Sequence, residues 1–278
     1  MNLQKPLTLA INRKSNARIV TCDFQRAASI LADYLKKITG GTLLIQSVTD
    51  IFPNLILKQS ENENLDGFCY YIYDKDIVFE APNEQAAVYA VYDFLENICN
   101  CRYFTSTEEF IPFDGNLTVQ FERQEANPII AYREVYYRDY FDSDFAEKHK
   151  LTATHAKDNI WGFWCHSFST LLSEDEYFEE HPEYFALYQG KRVGKNAQPC
   201  LSNPDVFEIM VRNLRKYMEL KPSCRFWSVS QNDNSSYCTC EKCAAVDAEE
   251  GSHAGTLIRF LNAIAEDVCK DYPDVLIE

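Results

Sequence analysis

Residues 225–243 read RFWSVSQNDNSSYCTCEKC. The first six, RFWSVS (225–230), are an apolar-leaning strand that delivers Gln231, Asn232 and Asp233 where it ends. Upstream, Asn203 reads as an N-cap with Pro204 at the first helical position. Phe207, Met210, Val211, Leu214, Tyr217 and Met218 then recur at helical spacing. Downstream, Leu257, Ile258, Leu261, Ile264, Ala265 and Val268 stripe another helix, and DVLIE (274–278) begins another strand. Strand and helix in alternation predict a parallel sheet or a (β/α) barrel.

The same alternation extends backwards. IWGFWCHSF (160–168) reads as an aromatic strand or strand end, and AYREVYY (131–137) as a strand, with a short helix near 143–150 between them. Ser173 with Glu176 forms a capping box for a helix over 174–181, which Pro182 ends. Before a Pro/Gly-marked stretch at 112–128 the pattern differs. Asp23 is an N-cap candidate for a helix striped by Ala27, Ile30, Leu31, Tyr34, Leu35 and Ile38, and Gly40-Gly41 stops it. LTLAI (7–11), ARIVT (17–21), TLLIQ (42–46), LILK (55–58), FCYYIY (68–73) and DIVFEA (76–81) read as strands, the last two joined by a turn. Asn83 caps a second helix. The expectation is an α/β chain: a small α/β sandwich domain over 1–124, then a TIM-type barrel domain over 125–278. Only 154 residues follow position 124, and a (β/α)8 barrel takes about 250. The second domain is therefore expected to be the N-terminal half of a barrel, and the chain a fragment of a longer protein.

Composition narrows the function. The chain has 278 residues, 46% of them apolar and 25% charged, enough for packed cores. Its charge is −15, from 27 basic against 42 acidic residues. That argues against nucleic acid and against adsorption to an anionic membrane. No run approaches the roughly 18–20 apolar residues of a membrane span. MNLQKPLTLAINRK lacks a secretory leader, so a cytoplasmic chain is expected as written, and a periplasmic or secreted one if the N-terminus is incomplete. Eleven cysteines in a chain of this length point to free thiols rather than to a disulfide scaffold. No phosphate-cradling glycine loop, Gly-x-Ser-x-Gly elbow or His-Glu-x-x-His is present. The oligomeric state is left open.

Four constellations can carry chemistry. Asp233 at a strand end can protonate a leaving oxygen, with Gln231 and Asn232 beside it to hold sugar hydroxyls; Asn-Asp-Asn-Ser-Ser is equally turn chemistry. Trp161 and Trp164 offer faces on which sugars stack, and His166 can bond hydroxyls or move protons; the alternative is a buried aromatic cluster. Arg133 and Arg138 could clamp a carboxylate, with Glu134 between them the one early-strand candidate for a second catalytic carboxylate; the alternative is a structural Arg–Glu pair. Cys238, Cys240 and Cys243 resemble half of a zinc or iron–sulfur clasp, with His253, Cys200, Cys224 and Cys269 as candidate fourth ligands; free thiols or a local disulfide are the alternatives. No cofactor is expected other than a structural zinc there, pinning a loop beside Asp233.

Five blocks then acquire a common meaning. YREVYYRD, WGFWCHSF, EYFEEHPEYFALYQGKR, CLSNPDV and WSVSQNDNSSYCTCEKC, in that order, resemble the bacterial family called domain of unknown function 4838. That family is similar to glycosidase (β/α)8 barrels, notably α-glucuronidases. AASILADYLKKITGG and AAVYAVYDFLENICNCRYFTSTEEFIP resemble the domain that precedes the barrel in α-glucuronidases and β-hexosaminidases. Leu201-Ser202-Asn203-Pro204 matches the helix start that precedes the α-glucuronidase acid strand, and Asn232-Asp233 stands where those enzymes carry Ser-Glu. The resemblance thus implies Asp233 as general acid, one methylene shorter than the family's Glu. It places His166 where relatives bind substrate. The expectation is a glycoside hydrolase acting on polysaccharide, uronic-acid-containing polymers included. A non-catalytic carbohydrate-binding protein and a metal-clasped interaction domain are the alternatives.

Overall fold

A computed structural model describes residues 5–49, 51–130, 132–152, 160–195 and 197–278. The chain divides into two compact units, Met1–Thr154 and His155–Glu278. Among the described residues no helix is long and apolar enough to cross a membrane.

The first unit is built on a six-stranded mixed sheet. Its strands are β1 (Arg18–Val20), β2 (Ile45–Gln46), β3 (Asn54–Gln59), β4 (Phe68–Tyr73), β5 (Asp76–Ala81) and β6 (Gln124–Ala126). The spatial order is β6-β4-β5-β3-β1-β2, with β4 antiparallel to both its neighbours β6 and β5 and the remaining pairs parallel. Period-2 alternation in β4 and β5 buries Phe68, Tyr70, Ile72, Ile77 and Phe79 in one core with Leu31, Leu35 and Ile38 of α1 (Gln25–Thr39) and Val91, Phe94 and Leu95 of α2 (Glu84–Asn97). The helix ends follow local chemistry. Asn83 Oδ1 accepts from the Ala86 N–H at 3.0 Å, and Gly40 ends α1 in the left-handed region. Asp23 does not cap α1. Phe24 occupies that position without a side-chain bond, and Glu84 Oε1 from α2 accepts the Ala27 N–H at 2.8 Å.

The segment after residue 124, assigned to the barrel by the sequence, packs with this first unit. YREVYY is not a strand among the described residues; it is irregular up to a 3-10 turn at Arg138–Phe141, and Ala131 lies outside the described residues. Arg133 is held away from a strand pairing: its Nε and Nη1 bond Asp66 Oδ2 (2.9 Å) and the Lys150 and Ile130 carbonyls (3.0 and 2.7 Å), and its backbone pairs with Thr152. The helix expected next is α3 (Ser143–Lys148). It buries Phe145 in the first core and sends Lys148 to Glu109 Oε2 at 2.9 Å, where Tyr34 also donates at 2.6 Å. Glu147 pairs with Arg26, and Lys150 with Asp93 at 3.0 Å.

In the second unit β7 (Trp161–Phe163), β10 (Phe226–Trp227) and β11 (Leu276–Ile277) form a parallel sheet in chain order. A hairpin of β8 (Leu187–Tyr188) and β9 (Lys191–Arg192) lies between them in sequence. The connections carry the short helices α4 (Phe168–Leu171) and α5 (Glu174–Tyr177), then α6 (Pro204–Leu220), α7 (Glu241–Glu250) and α8 (Ala254–Val268). Asn203 Oδ1 caps α6 at the Asp205 N–H (2.9 Å). The Ser173 box makes no cap bond, and the helix expected over 174–181 lasts one turn. The core gathers Met210, Leu214 and Met218 of α6, Phe260, Ile264 and Val268 of α8, and Trp227. The described residues form an open three-stranded α/β layer, not a closed barrel.

Gly162 is where sheet and core touch. A Cβ there would fall 2.3 Å from the Trp227 ring, which is itself wholly buried. Gly162→Ala should destabilise the chain by ~1–3 kcal/mol, the cost of overpacking, read as a lower midpoint in urea. In the first unit, burial opposes ionisation of Glu109, but the bonds from Tyr34 and Lys148 outweigh it and hold the carboxyl below its ordinary 4.5. A depressed folded value gives stability that is present above 4.5 and lost as pH falls through the folded value. Glu109→Gln should remove about 1 kcal/mol or less at neutral pH and flatten the acid side of a melting-temperature profile measured by calorimetry.

Candidate functional site

The C-terminal ends of β7 and β10 are zipped together. Ser230 donates its N–H to Ser167 Oγ (3.1 Å), and its carbonyl accepts from the Phe168 N–H (3.1 Å). Its hydroxyl oxygen accepts the His166 N–H at 2.8 Å. His166 has φ +51°, the left-handed region that a non-glycine residue enters when its surroundings hold it there. Its ring Nδ1 lies 2.8 Å from the Gln231 carbonyl. A carbonyl only accepts, so Nδ1 carries the proton, and Nε2 is left to give or take one.

Trp164 follows β7, partly exposed, with its ring edge-on to Trp161 at 4.8 Å. Trp161 is buried and stacks on Phe226 at 5.1 Å. This is one aromatic stack across two strands, with its outer ring reachable from solvent. Gln231 and Asp233 are exposed at the end of β10. On the neighbouring strand Glu278 follows β11, exposed, its backbone bonded to Trp227 and Val229.

Asn232 between Gln231 and Asp233 points inward. Its side-chain amide donates to the Ala197 carbonyl (2.7 Å) and its Oδ1 accepts the Ser169 N–H (3.3 Å). Its backbone exchanges both bonds with one side chain: N–H to Gln198 Oε1 (3.0 Å), and carbonyl from Gln198 Nε2 (2.7 Å). Gln198 Nε2 also reaches the Asn234 carbonyl at 3.0 Å. Gln198 carried no signal of its own in the sequence.

Gln198 leads to Cys200, the fourth member of the cysteine cluster. The Sγ atoms of Cys200, Cys238, Cys240 and Cys243 all lie within 4.8 Å of one another, and Cys200 and Cys240 are 3.7 Å apart. None is in a disulfide. The triplet was evident from its spacing, whereas Cys200 is brought in by the fold. Ser202 Oγ lies 3.0 Å from Cys243 Sγ, and the Leu187 N–H donates to Cys238 Sγ at 3.3 Å. Hydrogen bonds from Cys238 and Cys243 hold Cys200 far below the usual thiol range; Cys238 is pushed up to about 11, first by its bond to Cys200.

His253 is not in that cluster. Its Nδ1 pairs with Asp247 at 2.6 Å while its ring stacks on Tyr237 at 3.5 Å. Tyr237, Gln231 and His253 border a cleft of about 40 Å³ against Cys238 and Cys243. That volume takes a water or two but no sugar ring. Cys224 is buried and Cys269 half-buried, outside the cluster.

The remaining expected residues stand in the first unit. Arg133 pairs with Asp66 rather than with Glu134, and Glu134 Oε2 accepts from the Tyr132 hydroxyl at 2.9 Å. Arg138 is exposed.

A family model described as a domain of unknown function (DUF4838) matches residues 103–278. No curated protein matches the chain in sequence. Among solved structures the chain is similar to a GH20 beta-N-acetylhexosaminidase from Streptomyces coelicolor, at 14% identity and a TM-score of 0.46, over 98% of this chain and 62% of that one. It is also similar to a Flavobacterium johnsoniae chitobiase, at 9% identity and a TM-score of 0.47, over 99% of this chain and 51% of that one. A third is a mutant Streptomyces plicatus beta-hexosaminidase in complex with GlcNAc, at 14% identity and a TM-score of 0.46, over 98% and 62%. The chain thus spans less than two thirds of each.

The inward amide makes Asn232 a structural residue whatever else this edge does. Asn232→Ala should cost ~1–3 kcal/mol, chiefly from the buried Ala197 carbonyl left without its partner. Urea denaturation would read this with no ligand present.

Proposed function

The chain belongs to the family described as domain of unknown function 4838, and on that basis we propose that its second unit handles carbohydrate as part of a glycoside hydrolase. The observation that carries this reading is the zipped strand end. Ser230 and the Gln231 carbonyl lock His166 against β10, so an aromatic platform, an imidazole and an exposed acid leave two adjacent parallel strands at the same edge. In parallel α/β layers that edge is where ligands bind.

In this reading Trp164 stacks on the apolar face of a sugar ring, and His166 Nε2 and Gln231 bond its hydroxyls. Asp233 is the general acid. It gives its proton to the glycosidic oxygen as the bond from that oxygen to the anomeric carbon breaks, and a second carboxylate activates water or attacks the anomeric carbon. Glu278 is the better partner for Asp233, because it leaves the strand next to β10 in the same sheet. A second reading, carbohydrate binding without hydrolysis, is favoured by Asn232, whose amide faces the protein and not the edge.

Two variants separate these readings, with aryl glycosides for turnover and oligosaccharide calorimetry for binding. Asp233→Asn should lower turnover ~10²–10⁴-fold, the usual worth of a general acid, and leave binding intact. Trp164→Ala should weaken binding about tenfold. Near-normal turnover in Asp233→Asn would remove the acid role. Sugar binding with no turnover in the parent chain would favour the binding protein. Failure of every neutral and uronic oligosaccharide to bind would sink the carbohydrate reading.

A further inference from the structure

We propose that Cys200, Cys238, Cys240 and Cys243 bind one zinc ion in a closed tetrahedral site, which staples residues 197–200 to the loop that carries Asp233.

The argument is geometric. A zinc ion holds thiolate sulfurs at ~2.3 Å, so a tetrahedron of four has edges of ~3.8 Å. The four sulfurs lie within 4.8 Å of one another, with one edge at 3.7 Å. A disulfide needs ~2.05 Å, and this edge is well beyond it. An iron–sulfur cluster sets its thiolates around several atoms and spreads them wider than one ion does. Four soft thiolates set tetrahedrally around a single point suit zinc. With four protein ligands no position stays open, so the ion is structural.

The surroundings suit a thiolate cage. Four thiols give up their protons to bind the ion, which leaves a net charge of −2 on the site. The Leu187 N–H donates to Cys238 Sγ, and Arg192 Nη1 lies 3.9 Å from the same sulfur. Cys240 is the N-cap of α7 and Cys243 lies in its first turn, where the helix dipole favours negative charge. Backbone hydrogen bonds also tie together the segments that carry the four cysteines. The Ala186 N–H bonds the Gln198 carbonyl at 2.9 Å, and the Cys200 N–H bonds the Tyr184 carbonyl at 2.7 Å. On the other side the Thr239 N–H bonds the Leu187 carbonyl at 2.8 Å. Residues 184–187 therefore run between the two ligand-bearing segments.

The consequence reaches the strand end. Gln198, two residues before Cys200, holds Asn232 and Asn234, and Asp233 lies five residues before Cys238. The ion thus closes a loop whose two ends are already tied. This inference is independent of what the second unit binds.

The test uses the whole chain, purified without chelator and assayed for metal by plasma mass spectrometry. About one zinc per chain is expected. Cys200→Ser and Cys238→Ser should each bring it below a tenth, while Cys224→Ser and Cys269→Ser keep it. Because a ligand variant can fail to fold, the parent chain is also stripped with chelator and titrated with cobalt(II). Intense visible bands with thiolate charge transfer, saturating at one equivalent, are expected for a tetrahedral four-thiolate site. Hydrogen exchange should quicken over 231–240 in the stripped chain while α6 and α8 keep their protection. Less than a tenth of a zinc together with no cobalt bands, one iron per chain in place of zinc, or disulfides among these four cysteines in the freshly purified chain would each overturn the proposal.

Discussion

Gln198 and Asn232 sit on loops 34 residues apart in sequence and satisfy each other completely along one edge, side-chain amide against backbone amide. Both are buried, so neither can turn to water if the other leaves, and each orphaned group would cost about 1–3 kcal/mol. The pair fixes the path of the chain as it leaves β10. With Asn232 drawn inward and Asn234 held by the same glutamine, the residue between them has only the outside to face, and it is Asp233. The exposed carboxylate at this edge is thus a by-product of two buried neighbours. The same glutamine sits two residues from Cys200, so the polar brace and the sulfur cluster are parts of one joint.

What the sequence announces correctly is local. Asn83 and Asn203 cap their helices because a cap is decided within four residues. FCYYIY and DIVFEA are strands to the residue, since alternation and a two-residue turn specify them without outside help. The aromatic strand at 161 and the strand at 226 are found for the same reason, and the five blocks that resemble a family all lie within the matched span. The failures are cases where a distant group overrules a local pattern. Arg133 is pulled off its strand pattern by Asp66 and Lys150. Asp23 loses the cap of α1 to Glu84, 57 residues from the amide it serves.

The candidate site was half legible. Cys-x-Cys-x-x-Cys names three sulfurs, but the fourth is chosen by the fold from cysteines with no diagnostic spacing. Gln231, Asn232 and Asp233 are adjacent in sequence, yet the outer two are exposed and the middle one is interior. Composition cannot make that distinction, because an inward asparagine is defined by the carbonyl it meets. His166 was visible as a histidine in an aromatic run. Its left-handed backbone and fixed ring proton depend on Ser230 and Gln231, about 65 residues away.

The aromatic stack has a further consequence. The chain has three tryptophans, Trp161, Trp164 and Trp227, and all belong to the second unit. The first unit carries its aromatic mass as tyrosine and phenylalanine. Excited at the red edge of its ultraviolet absorption, the protein therefore emits from one unit only, and from both faces of one sheet, with Trp227 sealed in the core and Trp164 open to solvent. A colour shift and a quencher then report on different things in the same spectrum: the first on the integrity of the helix-covered side, the second on access to the strand-end edge. The molecule contains its own optical label for the unit in which its chemistry is to be sought, and the other unit is silent at that wavelength.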